Sequence, residues 1–92
     1  MKRAMMISPA DNVVVAADAI SKGEEVYYDA NGERVVLTAA TDVPVYHKLA
    51  IRDIAKGEKV TTYGCTIGVA LEDIPKGAHA HVHNFDSESL VR

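Results

Sequence analysis

Apolar positions in this 92-residue chain come in short runs, not in the three-and-four spacing of an amphipathic helix. The runs are Val13–Val15, Val26–Tyr28, Val35–Thr38, Leu49–Ile51, Val60–Tyr63 and Ile67–Leu71, and most are built from residues that suit a pleated surface. Glycine at 23, 32, 57, 64, 68 and 77 and proline at 9, 44 and 75 leave no interval for a long helix. The pattern predicts a single all-β domain of short, irregular strands joined by tight glycine turns, with at most short helical turns. One hairpin stands out. In "VYYDANGERVVL", Asn31-Gly32 separates two β-prone runs, and both residues tolerate the positive φ of a type I′ turn.

A local repeat accompanies the runs. "DAISKGEEV" (18–26), "RDIAKGEKV" (52–60) and "EDIPKGAHA" (72–80) share an isoleucine, a spacer and Lys-Gly, at Ile20/Lys22/Gly23, Ile54/Lys56/Gly57 and Ile74/Lys76/Gly77. The spacing between copies is unequal, which excludes a solenoid. A recurring device fits: an apolar anchor, a turn closed by glycine in the left-handed region, then a strand.

Composition narrows the function classes. Aromatics are scarce, with four Tyr, one Phe and no Trp, so Val, Ile and Ala must build the core. The net charge is −3 and the ten Lys and Arg form no run. A groove that tracks phosphates needs clustered positive charge, so nucleic acid is not an expected partner. Cys65 is alone, which excludes an intrachain disulfide and a CxxC site, and buried filler is its expected role. Pro9, Asp11 and Asn12 end the apolar stretch Ala4–Ile7 too early for a secretory signal, and no stretch approaches a membrane span. A cytoplasmic, soluble domain is expected. The carboxylates cluster in the Lys-Gly segments (Asp18, Glu24, Glu25, Asp53, Glu58, Glu72 and Asp73) and read as solubilising surface.

The candidate chemistry lies in the histidines at 47, 79, 81 and 83. In "HAHVHN", an extended backbone puts His79, His81 and His83 on one face and Ala80 and Val82 on the other. Same-face neighbours sit about 6.7 Å apart along a strand, close enough for two imidazoles to share a metal ion or to handle a proton. A solvated face that happens to carry histidines is the bland alternative. His47-Lys48, at the mouth of the Leu49–Ile51 run, offers a donor and a point charge to a carboxylate, or is an exposed loop. In "TYGCTIG" (62–68) no Lys-Ser/Thr follows the glycines, so it is not a phosphate loop.

The ordered series His47-Lys48, Tyr63-Gly64, Ile67-Gly68 and His81-Val82-His83-Asn84 resembles the SAF-type domain of the altronate/galactarate dehydratase family. That resemblance implies a β-clip fold over residues 1–92, with 84–92 as a polar tail. It implies the small subunit, or N-terminal domain, of a lyase that removes water from a sugar acid such as altronate or galactarate. The related sulfolactate sulfo-lyases eliminate sulfite instead. It further implies a large catalytic subunit as partner, a 2-hydroxy acid as ligand, and a divalent metal, commonly iron, held mainly by that partner. By position, His81 and His83 are the expected catalytic groups and metal ligands, and His47, Lys48, Tyr63 and Asn84 the expected substrate contacts. Two positions depart from the family's pattern: Tyr46 stands where Gly is usual, and Thr62 where Lys is usual. The latter predicts a loss of positive charge from the site. The competing readings are a non-catalytic sugar-acid or carbohydrate-binding module and a structural domain that self-associates through an exposed strand edge.

Overall fold

The computed structural model describes residues 1–80 and the short strand Phe85–Asp86. Every regular element among them is a strand: β1 (Lys2–Met5), β2 (Val13–Ala16), β3 (Glu25–Ala30), β4 (Glu33–Thr38), β5 (Lys48–Ala50), β6 (Lys59–Thr62), β7 (Cys65–Ala70), β8 (His79–Ala80) and β9 (Phe85–Asp86). They form a six-stranded sheet in the order β4-β3-β1-β2-β5-β8 and a three-stranded sheet in the order β6-β7-β9. The all-β expectation holds.

The predicted hairpin is β3–β4. Asn31 and Gly32 have φ of 52° and 80°, and the register closes at Ala30 opposite Glu33. β1 was not anticipated. "KRAM" is too short and too charged to read as a strand, yet it lies antiparallel to β2 and parallel to β3 in the middle of the larger sheet. Tertiary pairing decides this strand, because Ala4 is its one buried residue.

The repeated device occurs four times, not three. Ile20, Ile54 and Ile74 are buried anchors, and Gly23, Gly57 and Gly77 follow with φ of 88°, 88° and 85°. Val43, also buried, is a fourth anchor, and its turn is closed by Tyr46 with φ of 65°. Each closing N–H donates to the carbonyl of a buried alanine: Gly23 to Ala39, Tyr46 to Ala16, Gly57 to Ala70 and Gly77 to Ala50. The anchors then pair by two-way backbone bonds, Ile20 with Val43 and Ile54 with Ile74.

The aspartate before three of the four anchors, Val43, Ile54 and Ile74, is a cap and not mere solubilising surface, which corrects the sequence expectation for Asp53 and Asp73. Lys22 N–H donates to Asp42, Lys56 N–H to Asp73 and Lys76 N–H to Asp53, each at 2.8 Å. Glu24 and Glu58 accept similarly from the N–H groups of Ser21 and Ala55. That bond and the neighbouring Arg52 hold the Glu58 carboxyl below its ordinary value.

Two apolar clusters result. One gathers Ala4, Val14, Ala16, Ile20, Val26, Leu37, Val43 and Leu49; the other gathers Val13, Ala50, Ile54, Val60, Ala70, Ile74 and Ala80. Buried Asp11 and Asn12 tie the hairpin β6–β7 to the start of β2. Asn12 donates to Lys59 O and accepts from Thr61 N–H, both at 2.8 Å.

Thr62 also faces the interior, at 2% exposure, and its hydroxyl has no hydrogen-bond partner among the described residues. Thr62→Val keeps the shape and removes the orphaned hydroxyl. Equilibrium urea unfolding is expected to show unchanged or slightly raised stability, by up to about 1 kcal/mol. Cys65 is exposed at the start of β7, which overturns its reading as buried filler. The tight hairpin turn before it leaves the thiol on the outside.

Candidate functional site

Strand β8 docks antiparallel on β5, with Leu49 opposite His79 and Lys48 opposite Ala80. Side chains alternate along both strands. Leu49 and His79 therefore share one face, and Lys48 and Ala80 the other. His47 lies two residues before Leu49, so it is the diagonal neighbour of His79 on that same face. The observed geometry agrees. His47 Nδ1 is 2.9 Å from His79 Nε2, and the two rings stack with centroids 5.1 Å apart and planes 29° from parallel.

Both rings are half-buried. The Val43–Tyr46 turn fixes His47 from behind, because His47 O accepts from Ala16 N–H at 2.8 Å. His79 N–H donates to Thr41 Oγ1, also at 2.8 Å, which fixes the second ring's backbone. Ala80 is fully buried while His79 is half-exposed, so the predicted alternation holds over these two residues.

Sequence reasoning named both His47 and His79 as candidate chemistry, but on separate segments; the pairing of the two is what it missed. The available signal was the spacing of the Lys-Gly turn: residue 79 follows Gly77 by two, and residue 47 follows Tyr46 by one, once Tyr46 is seen to close an equivalent turn. His81, His83 and Asn84, expected as ligands or contacts, lie outside the described residues.

Lys48 and Tyr63 are placed differently. Lys48 is half-buried on the face of β5 opposite the imidazole pair, so only its flexible stem brings the ammonium around the strand. Tyr63 closes the β6–β7 turn in the left-handed region, at φ 57°, and its backbone is held by Asp11. Asp11 lies two residues before β2 and Ala16 ends it, so the backbone ties of the Tyr63 turn and of His47 lie toward opposite ends of that strand.

Among the described residues, no three His, Cys, Asp or Glu side chains converge on one point. Imidazole nitrogens are donors of a kind iron accepts, but the two that meet at 2.9 Å are engaged with each other, so a metal would draw its ligands from elsewhere. A concavity of about 470 Å³ lies between the Ile54 and Ile74 turns, and neither His47 nor His79 lines it. Asp53, Glu58 and Asp73 line it, and three carboxylates repel an anionic acid.

Comparison with known proteins bears on the same residues. A family model described as the altronate/galactarate dehydratase SAF domain matches residues 2–88. Altronate dehydratase of Escherichia coli is 45% identical over 78 residues, covering 85% of this chain and 15% of that enzyme. The Bacillus subtilis altronate dehydratase is 38% identical over 84 residues, covering 91% of this chain and 16% of the enzyme. The (2R)-sulfolactate sulfo-lyase subunit alpha of Chromohalobacter salexigens is 50% identical over 46 residues, half of this chain and 49% of that subunit. The chain thus spans about one-sixth of the dehydratases it matches. Among the described residues, no helix is long and apolar enough to cross a membrane.

Proposed function

Because the chain belongs to the altronate/galactarate dehydratase SAF domain family, we propose that it works as the accessory part of a cytoplasmic lyase that removes water from a sugar acid such as altronate or galactarate. It carries no activity alone, and a large catalytic polypeptide completes the site. The observation that supports this most is the 2.9 Å contact between His47 Nδ1 and His79 Nε2. Two half-buried imidazoles at that distance share a proton, one ring donating and the other accepting.

In an elimination of this class, a base removes the proton α to the carboxylate while the β substituent leaves. The paired rings suit holding or passing that proton at a ring nitrogen, and they orient the acid through N–H donation. Lys48 offers a point charge to the carboxylate, reaching around β5. A divalent metal, held mainly by the catalytic polypeptide with His81 and His83 as further ligands, supplies Lewis-acid help to the departing group when bound. Asn84 is assigned to the substrate. Tyr63 stands apart, and the reading does not use it.

A sulfo-lyase role is the second reading, favoured by the match to subunit alpha over half of this chain. One assay series separates the two. The chain is combined with its catalytic polypeptide and offered altronate, galactarate and sulfolactate. His81→Ala with His83→Ala is expected to lower turnover by about 10–100-fold, the usual cost of losing metal-site support. His79→Ala is expected to lower it by at least tenfold with the metal content unchanged. Full activity in both variants would leave the domain as a binding or assembly module only.

A further inference from the structure

The four turns share one design, and one of them departs from it at the tip. Three carry Lys-Gly, at Lys22-Gly23, Lys56-Gly57 and Lys76-Gly77, while the second carries Val45-Tyr46. The backbone demand is unchanged. Tyr46 N–H donates to Ala16 O at 2.8 Å, as the glycine N–H groups donate to their alanines, and Tyr46 adopts φ 65° to do so. A side chain in the left-handed region carries strain that glycine avoids.

Burial often offsets such strain, but not here. Tyr46 is 72% exposed and Val45 42%. Within this domain the exchange of Lys-Gly for Val-Tyr brings strain and bare apolar surface, with no packing in return. Strain of this kind persists where something else uses the residue. The lysines keep the other three tips facing water. This tip alone has given up its charge.

We infer that Val45–Tyr46 is the apolar anchor by which this domain docks on the catalytic polypeptide of its lyase; the inference rests on the lyase reading above. Two observations favour that occupant. The matched region is 15% of the Escherichia coli altronate dehydratase, so in that relative a domain of this kind is joined to a far larger polypeptide. The anchor also immediately precedes His47, whose ring is stacked on His79, so a partner that clasps the tip arrives beside the imidazole pair. An exposed tyrosine flanked by a small apolar side chain is the type of group that carries most of the energy of a protein interface.

The test gives this turn the Lys-Gly of the other three, by Val45→Lys with Tyr46→Gly. The 92-residue chain and the catalytic polypeptide are mixed, and their dissociation constant is read by calorimetry. Thermal melting of the chain alone, with Tyr46→Gly as a second variant, reports the strain. Both variants are expected to melt several degrees higher than the parent, and the double variant to bind at least tenfold more weakly. Unchanged binding by the double variant overturns the anchor while leaving the lyase reading in place. Weaker binding of altronate with unaltered partner affinity assigns the turn to the ligand and also overturns it. Loss of self-association with unaltered partner affinity makes the occupant a second copy, again against the proposal. A parent chain that binds no catalytic polypeptide overturns the lyase reading itself, and the anchor with it.

Discussion

Gly77→Ala is expected to lower the stability of the domain by about 2–5 kcal/mol, the left-handed penalty and the cost of overpacking combined. A Cβ at residue 77 overlaps the carbonyl oxygen of Thr38 and crowds Ala40 N, both backbone atoms that cannot swing aside. The position also holds φ +85°. Gly77 is a keystone between sheet edges, since its N–H donates to Ala50 O and its carbonyl accepts from Ala40 N–H. Gly57→Ala is the control. It has the same sign of φ, at +88°, but a Cβ there meets nothing within 4 Å. It should cost only the left-handed penalty of about 1–2 kcal/mol. With roughly 4–8 °C of melting temperature per kcal/mol in a domain of this size, the two variants separate clearly in thermal unfolding. Equal melting temperatures would show that the close approach at Gly77 is not structural.

The second large effect is expected at Asp11, which is 5% exposed and joins three backbone groups. Its carboxylate accepts from Ser8 N–H at 2.9 Å, Gly64 N–H at 2.9 Å and Tyr63 N–H at 3.2 Å. Asp11→Ala leaves these donors to find water or go unmet, at an expected cost of about 3 kcal/mol. Asp11→Asn keeps one acceptor oxygen and should lose about half as much. Amide hydrogen exchange gives the sharper readout: protection of Gly64 and Tyr63 should fall in both variants, while β3 and β4 stay protected. Uniform loss across the domain would mean that Asp11 supports the whole fold and not the latch alone.

The parts of the fold legible in the sequence are those set by local backbone chemistry. Asn31-Gly32 specifies its hairpin because few other residues accept two consecutive positive φ values. Ile20, Ile54 and Ile74 mark their turns because an apolar anchor and a Lys-Gly recur at fixed distance. The Val43–Tyr46 turn was hidden by Tyr46, a residue that pattern reading does not place at φ 65°, although Val43-Pro44 carries the anchor in plain view. β1 was hidden for the opposite reason: nothing local in "KRAM" favours a strand, and only its two neighbours make it one. Carboxylate caps such as Asp42 on Lys22 join residues twenty apart, a relation that composition cannot register. His47 was found from its neighbours, whereas His79 needed the β5–β8 register to bring it diagonal to His47.

The division of the interior into two clusters has a bearing on how the chain emerges from the ribosome. One cluster draws all of its buried members from residues 4–49, while the other needs residues as late as Ala78 and Ala80. Domains consolidate in the order in which they are made, N-terminal parts first. The early cluster has its β1–β4 framework and His47 in place while β8 is still to come. The second imidazole arrives last, on a two-residue strand at the sheet's edge. A chain that stops short of β8 lacks His79, and with it the 2.9 Å contact to His47. The stacked pair can therefore form only after both clusters have their strands.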